Sequence, residues 1–252
     1  WSMSLEPTEI PLGEGFYVSE SLPVANTICQ NVYPNYPESN AASSAQLFTR
    51  LGLSQIDTVG ESAIGRGVRL MSGVPYFVNE NTLWGLNRTV NASGEESFTL
   101  DNLGVIAGAG RVSMADSGTQ LVIAVPGTSN AYVYSIDAGL NQITDPQFIP
   151  SPATVVNSVV FVSGVFVFSA DQAIVFESDV NDALSYDSAN FFIYGNARNE
   201  VVGLHEHNEQ LYVFSTTNSA VYAPTNVNEL GALFTKVEGY DFNKGLSSQF
   251  AI

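Results

Sequence analysis

Apolar and polar residues alternate in short runs along this chain, and the runs come in sets. Four apolar strands stand out, at Pro75–Asn79, Leu121–Val125, Val165–Ser169 and Leu211–Ser215. Alternation of this kind, bounded by polar turns, is the signature of half-buried β-strands. Aligned on Val78, Ala124, Phe168 and Phe214, the strands are separated by 46, 44 and 46 residues. A shorter strand and a tight turn precede each one: Val68–Met71 with Ser72-Gly73, Arg111–Ala115 with Asp116-Ser117-Gly118, Val159–Val162 with Ser163-Gly164, and Val202–His205 with Glu206–Glu209. Another turn and a third strand follow each one, at Thr82–Leu86, Ala131–Ser135, Ala173–Glu177 and Ala220–Ala223. The remaining connection has room for a fourth strand.

A period of about 45 residues holding three or four antiparallel strands predicts the blades of a β-propeller. A single blade cannot bury both of its faces, so neighbouring blades must stack on it. Four repeats are evident over residues 66–224 within a propeller region at 61–252, and residues 225–252, notably Gly245–Ile252, begin what reads as a fifth unit. On this alignment Phe168 and Phe214 are expected at equivalent positions, both buried between sheets. Residues 1–60 differ. Pro7, Pro11, Pro23, Pro34 and Pro37 interrupt any regular pattern, and the stretch reads as an extended arm.

Composition agrees with an all-β fold. Charged residues make up only 13% of the 252, and Ser, Thr, Asn, Gln and Gly carry the polarity instead. The stretch from Pro146 to Ala170 has no charge, but its prolines, Asn157 and Gly164 make it two buried strands around a turn rather than a membrane span. Eight Lys and Arg against 25 Asp and Glu give a net charge of −17. Such a balance repels nucleic-acid phosphates while tolerating a passing polymer. The eight bases are dispersed, no two adjacent, so a strip of phosphate contacts is hard to assemble from one chain. Cys29 is alone, which excludes an internal disulfide. The N-terminus lacks the basic and apolar regions of a secretory signal.

Candidate chemistry is sparse. His205 and His207 share a strand face and could reach one metal, but no third ligand lies at a useful spacing. Asp179-Val180-Asn181-Asp182 resembles the start of a calcium loop but lacks the Gly and the closing Glu that such a loop needs. Gly108-Ala109-Gly110-Arg111 is not followed by the Lys-Ser/Thr of a phosphate-cradling loop. Asn87 and Asn91 head glycosylation sequons. The expectation is no catalytic residue, no cofactor and no metal site.

The run Gly108-Ala109-Gly110-Arg111-Val112-Ser113-Met114-Ala115 resembles a signature of the packaged-DNA stabilisation proteins of short-tailed phages, also called tail-hub or nozzle proteins. Ile10-Pro11-Leu12, Leu22-Pro23-Val24-Ala25-Asn26, Arg50-Leu51-Gly52-Leu53 and Gly65-Arg66-Gly67-Val68 match earlier landmarks in order. Tyr186-Asp187, Phe191-Phe192, Val201–Leu204, Leu211–Phe214, Ala220–Tyr222 and Lys244-Gly245-Leu246 match later ones. Asn199-Glu200 stands where the family often has Pro-Asp. The resemblance implies a structural role for Gly108, Gly110, Arg111, Ser113 and Met114. It also implies a virion protein that forms a ring, typically of six copies, below the connector. Its partners would be the connector or adaptor, a tail fibre or spike, and a tail needle, with DNA passing through unbound. The family chain is longer, so this one looks like its N-terminal portion. The competing expectation is a secreted carbohydrate-active or carbohydrate-binding propeller, which should carry carboxylates and aromatics at one mouth or a motif repeated in every blade. Trp84 and its nearest counterparts Val133, Val175 and Val221 form no such set.

Overall fold

The computed structural model describes residues 32–35, 46–49, 55–56, 58–59, 64–195, 200–225 and 234–250, and among these there is no helix. The chain divides into two units, Trp1–Ile56 and Asp57–Ile252. In the first, β1 (Val32–Asn35) pairs antiparallel with β2 (Gln46–Thr49). Apart from residues 55–56 and 58–59, the rest of the expected arm lies outside the described residues.

The second unit holds four sheets of four antiparallel strands, each a meander in chain order. Sheet one is β3 (Gly65–Met71), β4 (Val74–Asn79), β5 (Thr82–Val90) and β6 (Glu96–Val105). Sheet two is β7 (Ser113–Asp116), β8 (Gln120–Ala124), β9 (Ala131–Ser135) and β10 (Gly139–Gln142). Sheet three is β11 (Val156–Val162), β12 (Val165–Ala170), β13 (Ile174–Asp179) and β14 (Asp182–Ile193). Sheet four is β15 (Val201–His207), β16 (Gln210–Ser215), β17 (Ser219–Pro224) and β18 (Phe234–Phe242). The fourth strand of each unit occupies the long connection, as the spacing predicts. The fourth unit therefore runs through Phe242, beyond the boundary at 224 read from the repeat. The uncharged stretch after Pro146 forms β11 and β12 around Ser163-Gly164.

The turns close the hairpins tightly. Ser72-Gly73, Ser163-Gly164 and Asn208-Glu209 all have positive φ at both residues, the arrangement whose twist matches that of paired strands. The first strands β3, β7, β11 and β15 lie side by side in that order, and the sheets stack face to face behind them. Three apolar layers fill the gaps. Met71, Val78, Leu83, Leu121 and Ile123 fill the one between sheets one and two. Val122, Val133, Phe148, Phe166, Phe168 and Phe176 fill the one between sheets two and three. Val165, Val167, Val175, Leu211 and Val213 fill the one between sheets three and four. Fully burying one such side chain stabilises by about 1.5–3 kcal/mol, which is why each sheet needs its neighbours.

Register corrects the expected equivalence of Phe168 and Phe214. A bulge interrupts three of the first hairpins at the same place, between Gly65 and Gly67, Val156 and Ser158, and Val201 and Gly203. Past it, Val78 faces Gly67, Ser169 faces Ser158 and Phe214 faces Gly203, while Ala124 faces Ser113 at the start of β7. The equivalent set is therefore Val78, Ala124, Ser169 and Phe214. Phe168 corresponds to Val213, and both point toward the preceding sheet. One residue of slip moves a strand side chain to the opposite face. Phe168 is accordingly buried completely, whereas Phe214 is only half-buried, on the face of sheet four turned away from sheet three.

Candidate functional site: the motif loop and the axial cavity

The run Gly108–Ala115 spans the connection from β6 to β7 and the start of β7, and a buried arginine organises it. Arg66, at the bulge in β3, is 5% exposed. Its Nε donates to Gly110 O at 2.6 Å. Its Nη1 donates to Glu80 O at 2.9 Å, Ile106 O at 3.0 Å and Asn81 Oδ1 at 3.4 Å. One guanidinium thus ties the β4–β5 turn to both ends of the β6–β7 loop. Burial holds its pKa below the ordinary arginine value. Its partners are carbonyls rather than a carboxylate, and Nη2 is buried without a hydrogen bond.

Gly108 has φ +103°, and a Cβ there would lie 2.9 Å from Val125 Cγ1. Both the backbone and the space around it call for glycine. Gly110 supplies the carbonyl that Arg66 holds. Arg111 and Val112 were expected in the strand, but β7 begins only at Ser113, because Val112 N donates instead to Arg66 O at 3.0 Å in sheet one. Ser113 links sheets two and three, its Oγ accepting from Val159 N at 3.0 Å. Met114 packs against the first apolar layer. A Cβ on Gly67 would lie 2.7 Å from Val112 Cγ2, so glycine permits this close approach of sheets one and two. Arg69 adds a bridge between the same sheets, its Nε 2.6 Å from Asp116 Oδ1.

Where the first strands converge they surround a cavity of about 680 Å³. All four sheets contribute to its wall, and Gln249 and Phe250 complete it. Arg66, Arg69, Arg111 and His205 line it, and no Asp or Glu does. Arg111 lies over the Phe250 ring at 5.2 Å. The bases that look dispersed in sequence are therefore partly gathered in space: three of the eight Lys and Arg border one cavity. The stacked meanders perform that gathering, since Arg66 and Arg111 occupy the entries to consecutive first strands. Gly65-Arg66-Gly67 was legible only as the start of a repeat. An arginine between two glycines in an arginine-poor chain was the available signal for its clasping role.

The other candidates lie in strands and turns. His205 and His207 share a face of β15, opposite Tyr212 and Gln210, and the turn follows them at Asn208-Glu209. Asp179 and Asp182 face each other across the β13–β14 turn; Asp179 Oδ2 accepts from Ser185 Oγ at 2.6 Å and Asp182 Oδ1 from Leu184 N at 2.9 Å. Among the described residues, no three His, Cys, Asp or Glu are grouped to hold a metal ion. Asn91 closes the β5–β6 turn, accepting from Ser93 N and Glu95 N. Burial raises Tyr186 well above the usual phenol value, and its hydroxyl donates to Ala183 O at 2.8 Å. It sits in the core against Phe148.

Comparison with known proteins adds a family to this geometry. No curated protein matches the chain. Among solved structures it is similar to the computationally designed Ika8 protein, at 10% identity over 88% of this chain and 62% of that one, with a TM-score of 0.48. It is also similar to the WD40 β-propeller domain of Doa1, at 12% identity over 72% and 56%, with a TM-score of 0.46. Hsv2 of Kluyvelomyces marxianus matches at 11% identity over 75% and 58%, with a TM-score of 0.46. The chain spans less than two thirds of the length of each. The family model described as Bacteriophage P22 Gp10, beta-propeller, matches residues 8–252. With its four-sheet repeat and its signature loop inside that match, the chain belongs to this Phage_stabilise family of bacteriophage structural proteins.

Proposed function

We propose that the protein is a structural component of a phage tail, a hub or nozzle that forms a ring of six copies below the connector. In this reading it helps to retain packaged DNA and forms part of the ejection channel. The family match over residues 8–252 carries the proposal. The role is one of assembly rather than catalysis, and it is exercised in the virion. Its partners are further copies of itself, the connector or adaptor, a tail fibre or spike and a tail needle. The stacked sheets support the reading, because three continuous apolar layers make a rigid body suited to a channel wall. The charge of −17 supports it too, since an acidic protein does not hold duplex DNA as it passes. Leu246 N donates to Ser215 O and Ser219 Oγ to Lys244 O, which carries residues 243–250 back across sheet four toward the cavity.

The test is to assemble phage particles without this protein and measure the DNA they keep. The reading predicts that heads fill and then leak their genome. Particles that retain and eject DNA normally would overturn it.

A further inference from the structure

Two of the three arginines in the cavity wall have no carboxylate partner among the described residues. Arg66 is buried with no carboxylate partner and one nitrogen unpaired. Arg111, among the described residues, has Phe250 as its partner and no ion pair. Only Arg69 is balanced, by Asp116. In a chain with 25 acids, a cavity bordered by three arginines and a histidine and by no carboxylate is a marked local reversal of charge. The rest of the wall is largely apolar: Val68, Phe77, Val112, Met114, Val159 and Leu204.

We infer that this cavity is a receptor for an acidic peptide segment, one that presents a carboxylate beside an apolar or aromatic side chain. The exposed Arg111 fork matches a carboxylate's two oxygens, the buried Arg66 adds positive charge behind it while its own Nε and Nη1 hold backbone carbonyls, and the apolar wall takes the neighbouring side chain. The chain's own Phe250, seated over Arg111, shows a polypeptide segment fitting this wall with an aromatic ring against a guanidinium. Duplex DNA does not enter: its major groove alone is about 12 Å wide, and the whole cavity is about 680 Å³. The inference stands apart from the proposed place in the tail, since it rests on the cavity alone.

The test uses the 252-residue chain and fluorescence anisotropy with a labelled peptide of alternating Glu and Phe. A matching Gln-Phe peptide and a single-stranded oligonucleotide are the comparisons. The Glu-Phe peptide is expected to bind at least tenfold more tightly than either. Arg111→Gln, at an exposed position, should remove at least tenfold of that affinity without moving the thermal melt, and Arg111→Lys should remove less. Arg88→Gln, which breaks an exposed pair with Glu96 far along β5, should change nothing. Equal binding of the Gln peptide, an equal loss in the Arg88 variant, no loss in the Arg111 variant, or tighter binding of the oligonucleotide would each overturn the inference.

Discussion

Sheet three and sheet four have the same strand order but different surroundings, and their sequences record it. Sheet three has a sheet on each side. All six residues of β12, Val-Phe-Val-Phe-Ser-Ala, are buried, and so are the first five of β13. Among the described residues, sheet four is covered by a sheet on one side. In β16, Gln-Leu-Tyr-Val-Phe-Ser, Leu211, Val213 and Ser215 are buried while Gln210, Tyr212 and Phe214 are half-buried. Sheet one, at the other end of the stack, alternates in the same way along β4. A continuous apolar run thus marks a strand between two neighbours, and alternation marks one with a single neighbour.

The sharpest way to break this comparison is at the two phenylalanines. Phe168→Ala should cost about 3–5 kcal/mol, because it empties a site filled by Phe148, Phe176 and Tyr186 around it. Phe214→Ala should cost less than half of that, since its ring is only half-buried. Denaturant unfolding of the two variants checks the order. Equal losses would mean that sheet four is as enclosed as sheet three.

Arg66→Met sharpens the comparison at the other end of the stack. It leaves the buried Ile106 O without its donor, while Gly110 O and Glu80 O, on exposed residues, turn to water; a buried unpaired group costs about 1–3 kcal/mol. A loss of about 1–3 kcal/mol is expected, read from the same denaturant curves, with the β6–β7 loop exchanging its amide hydrogens faster.

A smaller effect concerns Asp171, at the β12–β13 turn in sheet three. Burial pushes its carboxyl up, but Thr154 N, Thr154 Oγ1 and Val155 N donate to it and hold it below the usual aspartate value. Its stabilisation is complete above the unfolded value of about 3.9 and is lost as pH falls through the lower folded value. Asp171→Asn should therefore lower stability by about 1–2 kcal/mol at neutral pH and flatten the acid limb of a stability–pH curve.

The smallest effect belongs to sheet four. Glu209 has φ +60° in the β15–β16 turn, a left-handed conformation that glycine adopts at no steric cost. Glu209→Gly should raise stability by no more than about 1 kcal/mol, because Glu209 N keeps its bond to Glu206 Oε1. A fall in melting temperature would count against the turn as described.

The same two sheets show what was legible in the chain. Strand positions were readable, because turns such as Ser72-Gly73 and Ser163-Gly164 punctuate apolar runs of strand length. The faces of β12 were not, because Val165 to Phe168 are apolar without alternation; the register is set by the turn at Ser163-Gly164, which pairs Val162 with Val165. The repeat spacing of 46, 44 and 46 thus conceals steps of 46, 45 and 45 through Ser169. At the candidate site, Gly108 and Gly110 were readable as a turn. The clasp by Arg66 was not, since it joins residues 44 positions apart. Nor was the charge of the cavity, because Arg66, Arg69 and Arg111 meet only once the sheets are stacked.

A density map of the phage tail at side-chain resolution tests the central claim most directly. The account predicts a ring of copies below the connector, each with four stacked four-stranded sheets and with Phe168 enclosed between the second and third. Finding this chain outside the tail, or finding its sheets in a different order, would contradict it.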